Sequence, residues 1–143
     1  MHYANQLTFI VLVGVVSWGC IPPFSSGGGS FHTPPPVVDT GTPTTLVFEL
    51  TISGVAGEGA NDRFANEKVF YRANKGDKFR AATTTRRVVD EKRIDVSAEI
   101  PAIDNPTLNR LEYFLTFQFD GVKNSRGSGD APMSAQIRHH QNK

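Results

Sequence analysis

Strict alternation of apolar and polar residues recurs through the C-terminal two-thirds of the chain, and the 3.6-residue repeat of an amphipathic helix does not. In "LVFELTIS" Leu46, Phe48, Leu50 and Ile52 share one face, with Val47, Glu49, Thr51 and Ser53 on the other. In "RIDVSAEIP" Ile94, Val96, Ala98 and Ile100 alternate with polar residues, and in "LEYFLTFQFDG" Leu111, Tyr113, Leu115, Phe117 and Phe119 point one way. Each spacing predicts a strand with one buried face. Shorter runs add strands in "EKVFYRA", where Val69 and Tyr71 are in phase, in the Thr-rich "KFRAATTTRR", and in "MSAQIRH", where Met133 and Ile137 are. The loop "NKGDK" suits a hairpin, and Pro101, "IDNP" and "DGVKNSRGSGD" punctuate the rest. The sum is six strands, seven if Pro36–Val38 adds an edge, and the expected fold is all-β, an antiparallel two-sheet sandwich.

Upstream, the pattern changes character. No Asp, Glu, Lys or Arg precedes Asp39, and Leu7–Ile21 reads "LTFIVLVGVVSWGCI". At about 1.5 Å per residue this run spans roughly 22 Å, short of the roughly 30 Å hydrocarbon core, so it suits the apolar region of a signal peptide better than a membrane span. The small residues Ser17 and Gly19 flank the expected cut. The Gly/Ser and Pro-rich stretch that follows predicts a flexible tether with a stiff "TPPP" segment, in which Phe31 and His32 are solvated and idle. The expected division is signal peptide 1–19, tether 20–44, sandwich 45–138 and tail 139–143.

Two resemblances sharpen these expectations. The stretch "SWGC", a small residue and then cysteine closing an apolar run, resembles the lipobox of bacterial lipoproteins. That resemblance implies cleavage after Gly19, a lipid on Cys20, a membrane partner through that anchor, and a place in the cell envelope outside the cytoplasm. Ordinary secretion, with Ser17 and Gly19 as the small-x-small cleavage signal, and an uncleaved anchor are the alternatives. Further on, "KVFYR", a hairpin into "KFRAATTT", then "VSAEIP" and "LEYFLTFQFDG" resemble, in that order, immunoglobulin-like or fibronectin type III-like modules of bacterial surface proteins. The antibody subclass is not implied, since there is one cysteine and the single tryptophan, Trp18, lies in the leader.

Charge narrows the partners. Fifteen Lys and Arg against 14 Asp and Glu leave a net charge of +1, interleaved as in "RRVVDEKRID", which lacks the clustered cations that nucleic-acid binding requires. With Cys20 the only cysteine, no disulfide can form within the chain, and packing must hold the fold. Catalysis has few candidate groups: beyond the tether the histidines are His139 and His140, beside the chain's end, where neither a triad nor a metal site can be built. The acidic loops around Glu58, Asp62 and Glu67 and around Asp120, Asn124 and Asp130 carry oxygen ligands but no calcium-loop spacing.

No cofactor and no metal site is therefore expected. A binding surface is predicted where Phe70 and Phe114, out of phase with the inward residues, flank Arg72 if their strands adjoin. The functional expectation is a non-catalytic binding or structural module on an anchored envelope protein, with an envelope protein or glycan as partner. The alternatives are an assembly subunit that completes a partner's sheet by strand addition, and a secreted hydrolase.

Overall fold

A computed structural model describes residues 27–35, 37–54 and 59–139, and the expected cleavage and lipidation positions, Gly19 and Cys20, lie outside them. Ten strands and one short helix follow in chain order: β1 (Gly28–Phe31), β2 (Val37–Asp39), β3 (Thr44–Ile52), α1 (Ala60–Arg63), β4 (Phe64–Arg72), β5 (Arg80–Ala81), β6 (Thr83–Asp90), β7 (Arg93–Ile100), β8 (Arg110–Phe119), β9 (Val122–Arg126) and β10 (Met133–Arg138). One sheet has the order β1-β3-β7-β6 and the other β2-β10-β8-β4-β5. Strand β9 pairs with β8 at Leu115–Phe119 and β10 pairs with it at Arg110–Tyr113. Strand β4 holds the opposite edge of β8, so β9 and β10 are one strand interrupted by the excursion at 127–132.

This is an all-β sandwich, and its order is that of immunoglobulin-like folds, A-B-E-D facing a sheet built on C, F and G. No helix among the described residues is long and apolar enough to cross a membrane.

The alternation builds the core as the pattern requires. Leu46, Phe48 and Leu50 of β3, Ile94, Val96, Ala98 and Ile100 of β7, and Leu111, Tyr113 and Leu115 of β8 are all buried between the sheets. Phe64 closes the core at one end, its ring edge-on to Phe117 at 5.7 Å. The turn joining β8 to β9 has two residues, Asp120 and Gly121, both at positive φ (50° and 78°), the geometry that matches strand twist in tight hairpins.

Four findings depart from the sequence reading. First, the strands number ten rather than six or seven: β1, which is glycine-rich, and β9, which is exposed at every position, carry little apolar signal, and one expected strand is two. Second, the edge at Val37–Asp39 exists but runs parallel to β10, so one pairing of the sandwich is not antiparallel.

Third, "KFRAATTTRR" is not one strand. Arg80–Ala81 pairs with β4 in one sheet, and Thr83–Asp90 pairs with β7 in the other, the chain crossing between them at Ala82. Fourth, the stretch expected to be a tether supplies β1 and β2. Gly28 lies against Phe119 so closely that a Cβ there would sit 2.8 Å from the ring, so the missing side chain is what admits the strand.

Candidate functional site

Strands β4 and β8 are neighbours, and their register sets Phe70 opposite Phe114 and Arg72 opposite Glu112. Alternation sends Val69, Leu111, Tyr113 and Leu115 into the core, so these partners stand on the outer face of the sheet. The phenyl rings stack, centroids 5.1 Å apart at 23°. Phe79, from the loop before β5, meets Phe114 edge-on at 4.9 Å. The Arg72 guanidinium lies 4.3 Å over the Phe79 ring while its Nε donates to Glu112 Oε2 at 2.7 Å.

The three residues predicted as a surface are thus brought together, but as a half-buried aromatic ladder with Arg72 clamped to it rather than as an exposed spot. Sequence reasoning missed Phe79. It belongs to no alternating run, and only the β4–β5 turn, closed by Asp77 N–H donating to Asn74 O at 3.0 Å, folds it back.

Beside the ladder the same face opens into a depression of about 760 Å³. One wall is Phe70, and the floor is the cross-strand row Lys68–Thr116–Ser125 with Gln118 opposite Lys123. The rim includes Asn66, whose positive φ of 57° falls where the β4–β8 register slips between Ala65 and Lys68. Such a bulge re-aims the side chain it carries, here placing the Asn66 amide to donate to Gln118 Oε1 at 2.7 Å. No carboxylate lines the depression, and neither Lys68 nor Lys123 has an ion-pair partner among the described residues.

Two carboxylates of the acidic loops are otherwise occupied. Glu67 pairs with Arg86 at 2.7 Å, and Asp120 pairs with the buried Arg63, whose guanidinium also lies over the Phe119 ring. Among the described residues, no three His, Cys, Asp or Glu side chains converge as a metal site would need, and Glu58 lies outside them.

One histidine belongs to the folded body after all. His32, expected to be idle, is half-buried: Nδ1 donates to Val47 O at 2.6 Å, Nε2 meets the Tyr113 hydroxyl at 2.8 Å, and the ring stacks on Phe48 at 4.2 Å. A carbonyl can only accept, so Nδ1 carries the proton and neutral Nε2 accepts from Tyr113. Both nitrogens are spent on the fold, so His32 itself is not free to act as a base. His139 donates through Nε2 to Leu108 O at 2.8 Å, and His140 lies outside the described residues.

Compared with known protein families and with curated proteins, the chain matches no family model and no curated sequence.

Proposed function

We propose that this chain is an exported envelope protein, anchored by a lipid on Cys20, that presents a non-catalytic binding module of the immunoglobulin-like, fibronectin type III-like kind. The observation that carries the binding role is the outer face of the β8–β4 sheet. There Phe70 and Phe114 stack, Arg72 is held over Phe79, and Phe70 also walls an open depression. Concave sites of roughly 300–1,000 Å³ with an apolar wall and a few convergent polar groups are the usual form of ligand clefts. The uncharged leader ending in Gly19–Cys20 supports export and anchoring.

Two measurements test the reading. Mass spectrometry of the mature N-terminus should find a diacylated Cys20, and Cys20→Ala should abolish fatty-acid labelling. Capture of partners from an envelope fraction should be weakened by Phe114→Ser at unchanged solubility, and equal capture would remove this face from the function.

A second reading, strand addition to a partner's sheet, is favoured by β6, an eight-residue edge strand exposed along nearly its whole length. Hydrogen exchange separates the two. A partner on the edge protects amides within Thr83–Asp90, whereas a partner on the Phe70–Phe114 face leaves them exchanging as in the free protein.

A further inference from the structure

We propose that the depression beside the Phe70–Phe114 stack is a binding site for an acidic oligosaccharide. The inference rests on the reading of that face as the binding surface and names what it takes. Charge is the first argument. Lys68 on β4 and Lys123 on β9 flank β8 from opposite sides, by standard sheet spacings roughly 12 Å apart at Cα. Both ammonium groups lack an ion-pair partner among the described residues, and no carboxylate lines the space between them. The acids next along the chain are neutralised elsewhere, Glu67 by Arg86 and Asp120 by Arg63. A depression holding two uncompensated cations and no anion is complementary to a negatively charged ligand.

The uncharged lining says which anion. Ser125, Gln118 and Asn66 keep donors and acceptors beyond the Asn66–Gln118 hydrogen bond, and the Thr116 hydroxyl, which donates to Lys68 O at 3.5 Å, keeps an acceptor, a mixed capacity that sugar hydroxyls share. Phe70 supplies an apolar wall against which the C–H face of a sugar ring can lie.

An acidic peptide fits less well. The site is on a sheet face whose strands already pair with one another, Lys68 with Thr116 and Thr116 with Ser125. An extended peptide laid across this face would meet side chains rather than a backbone ladder, because the hydrogen-bonding edges of the sheet, the outer edge of β9 included, lie in its plane and not over the depression.

Calorimetric titration of the full chain with a galacturonic acid trisaccharide, the neutral galactose trisaccharide and tri-glutamate tests the proposal. Saturable binding of the acidic sugar is expected, at least tenfold tighter than either other probe and weakening as salt is raised. The double variant Lys68→Gln/Lys123→Gln should lose at least tenfold, whereas Lys92→Gln, on the β6–β7 turn outside the depression, should bind as the unaltered chain does. Gln118→Ala should weaken binding without changing its salt dependence, which a purely electrostatic attraction would not produce.

Absence of binding, equal binding of tri-glutamate, or an undiminished double variant would each overturn the proposal. If Phe114→Ser still abolishes partner capture when no sugar binds, the binding face stands and only its ligand class falls. If both fail, both fall.

Discussion

His32 joins the N-terminal segment to the core through three contacts at once, and its protonation state follows from them. Burial holds its pKa below the ordinary value of 6.5, with the nearby Arg126 charge acting in the same direction and the hydrogen bond to Val47 opposing. The unfolded chain therefore takes up this proton at a higher pH than the folded one, and stability is full above about pH 6.5 and falls as pH drops below it. Chemical denaturation between pH 7.5 and 5 should show that decline, and His32→Phe should flatten it. The Tyr113 hydroxyl, pushed up to about 12 by burial, gives the opposite sign: its contribution holds below pH 10 and is lost between about 10 and 12.

Removing that hydroxyl in Tyr113→Phe leaves the half-buried Nε2 without a partner and should cost about 1 kcal/mol in the same assay. Tyr113 was legible as an inward residue from the alternation of β8, and Phe70 and Phe114 as outward ones from the same rule. His32 was not legible, because its partners Val47 and Tyr113 lie 15 and 81 residues away and no local spacing encodes them.

Among the elements, legibility followed how much apolar side chain each strand buries. Strands β3, β7 and β8 alternate strongly, and the alternation marks them almost to the residue. Strand β9 has the sequence pattern of a loop because all five of its residues are exposed, and it is held by its ladder with β8. Strand β1 has the composition of a flexible linker because glycine suggests freedom, whereas Gly28 is required by the closeness of Phe119. Gly28→Val should force the ring or the strand to move, at about 1–3 kcal/mol by thermal or urea denaturation. A loose spacer would tolerate the change.

Across the other sheet, Glu49, Asp95 and Arg87 form one cross-strand row, in which the two acids face each other directly. Arg93 resolves the repulsion by pairing with both, and Arg87 takes the second oxygen of Asp95 at 2.7 Å. The hydrogen bond from Arg93, more than any other contact, holds the Asp95 carboxyl below its usual 3.8. Its stabilising share is present above that pH and disappears as pH falls through the lowered value. Asp95→Asn should steepen no acid transition but lower stability at pH 7, and unfolding curves at pH 7 and pH 3 would separate the two.

At the scale of the molecule, cohesion comes from one continuous core and from no covalent crosslink within the chain. The thermal midpoint should be the same with and without a thiol reductant, a comparison that calorimetry makes directly. The two-sheet architecture was visible in the sequence since period-two alternation dictates layers, while the route of the chain was not. Two facts escaped that pattern: a Thr-rich run that changes sheets at Ala82, and a proline-flanked edge that runs parallel to β10. The depression escaped it as well, since its lining is assembled from three strands that only the β4–β8–β9 register brings side by side.

If Cys20 carries the proposed lipid, the docking of β1 bears on how the molecule would stand at a bilayer. Only Ile21–Ser26 separate Cys20 from Gly27, a leash of about 25 Å at full stretch. Gly27 and Gly28 sit at the pole shared with the Phe119 hairpin and the end of β3, where Ser53 N–H donates to Gly27 O at 2.8 Å. Held by an acyl group on Cys20, the domain would keep that pole toward the headgroups and carry the sheet proposed to bind ligand upright, like a panel facing sideways. Whatever binds it would then have to lie close along the membrane surface rather than reach down from afar.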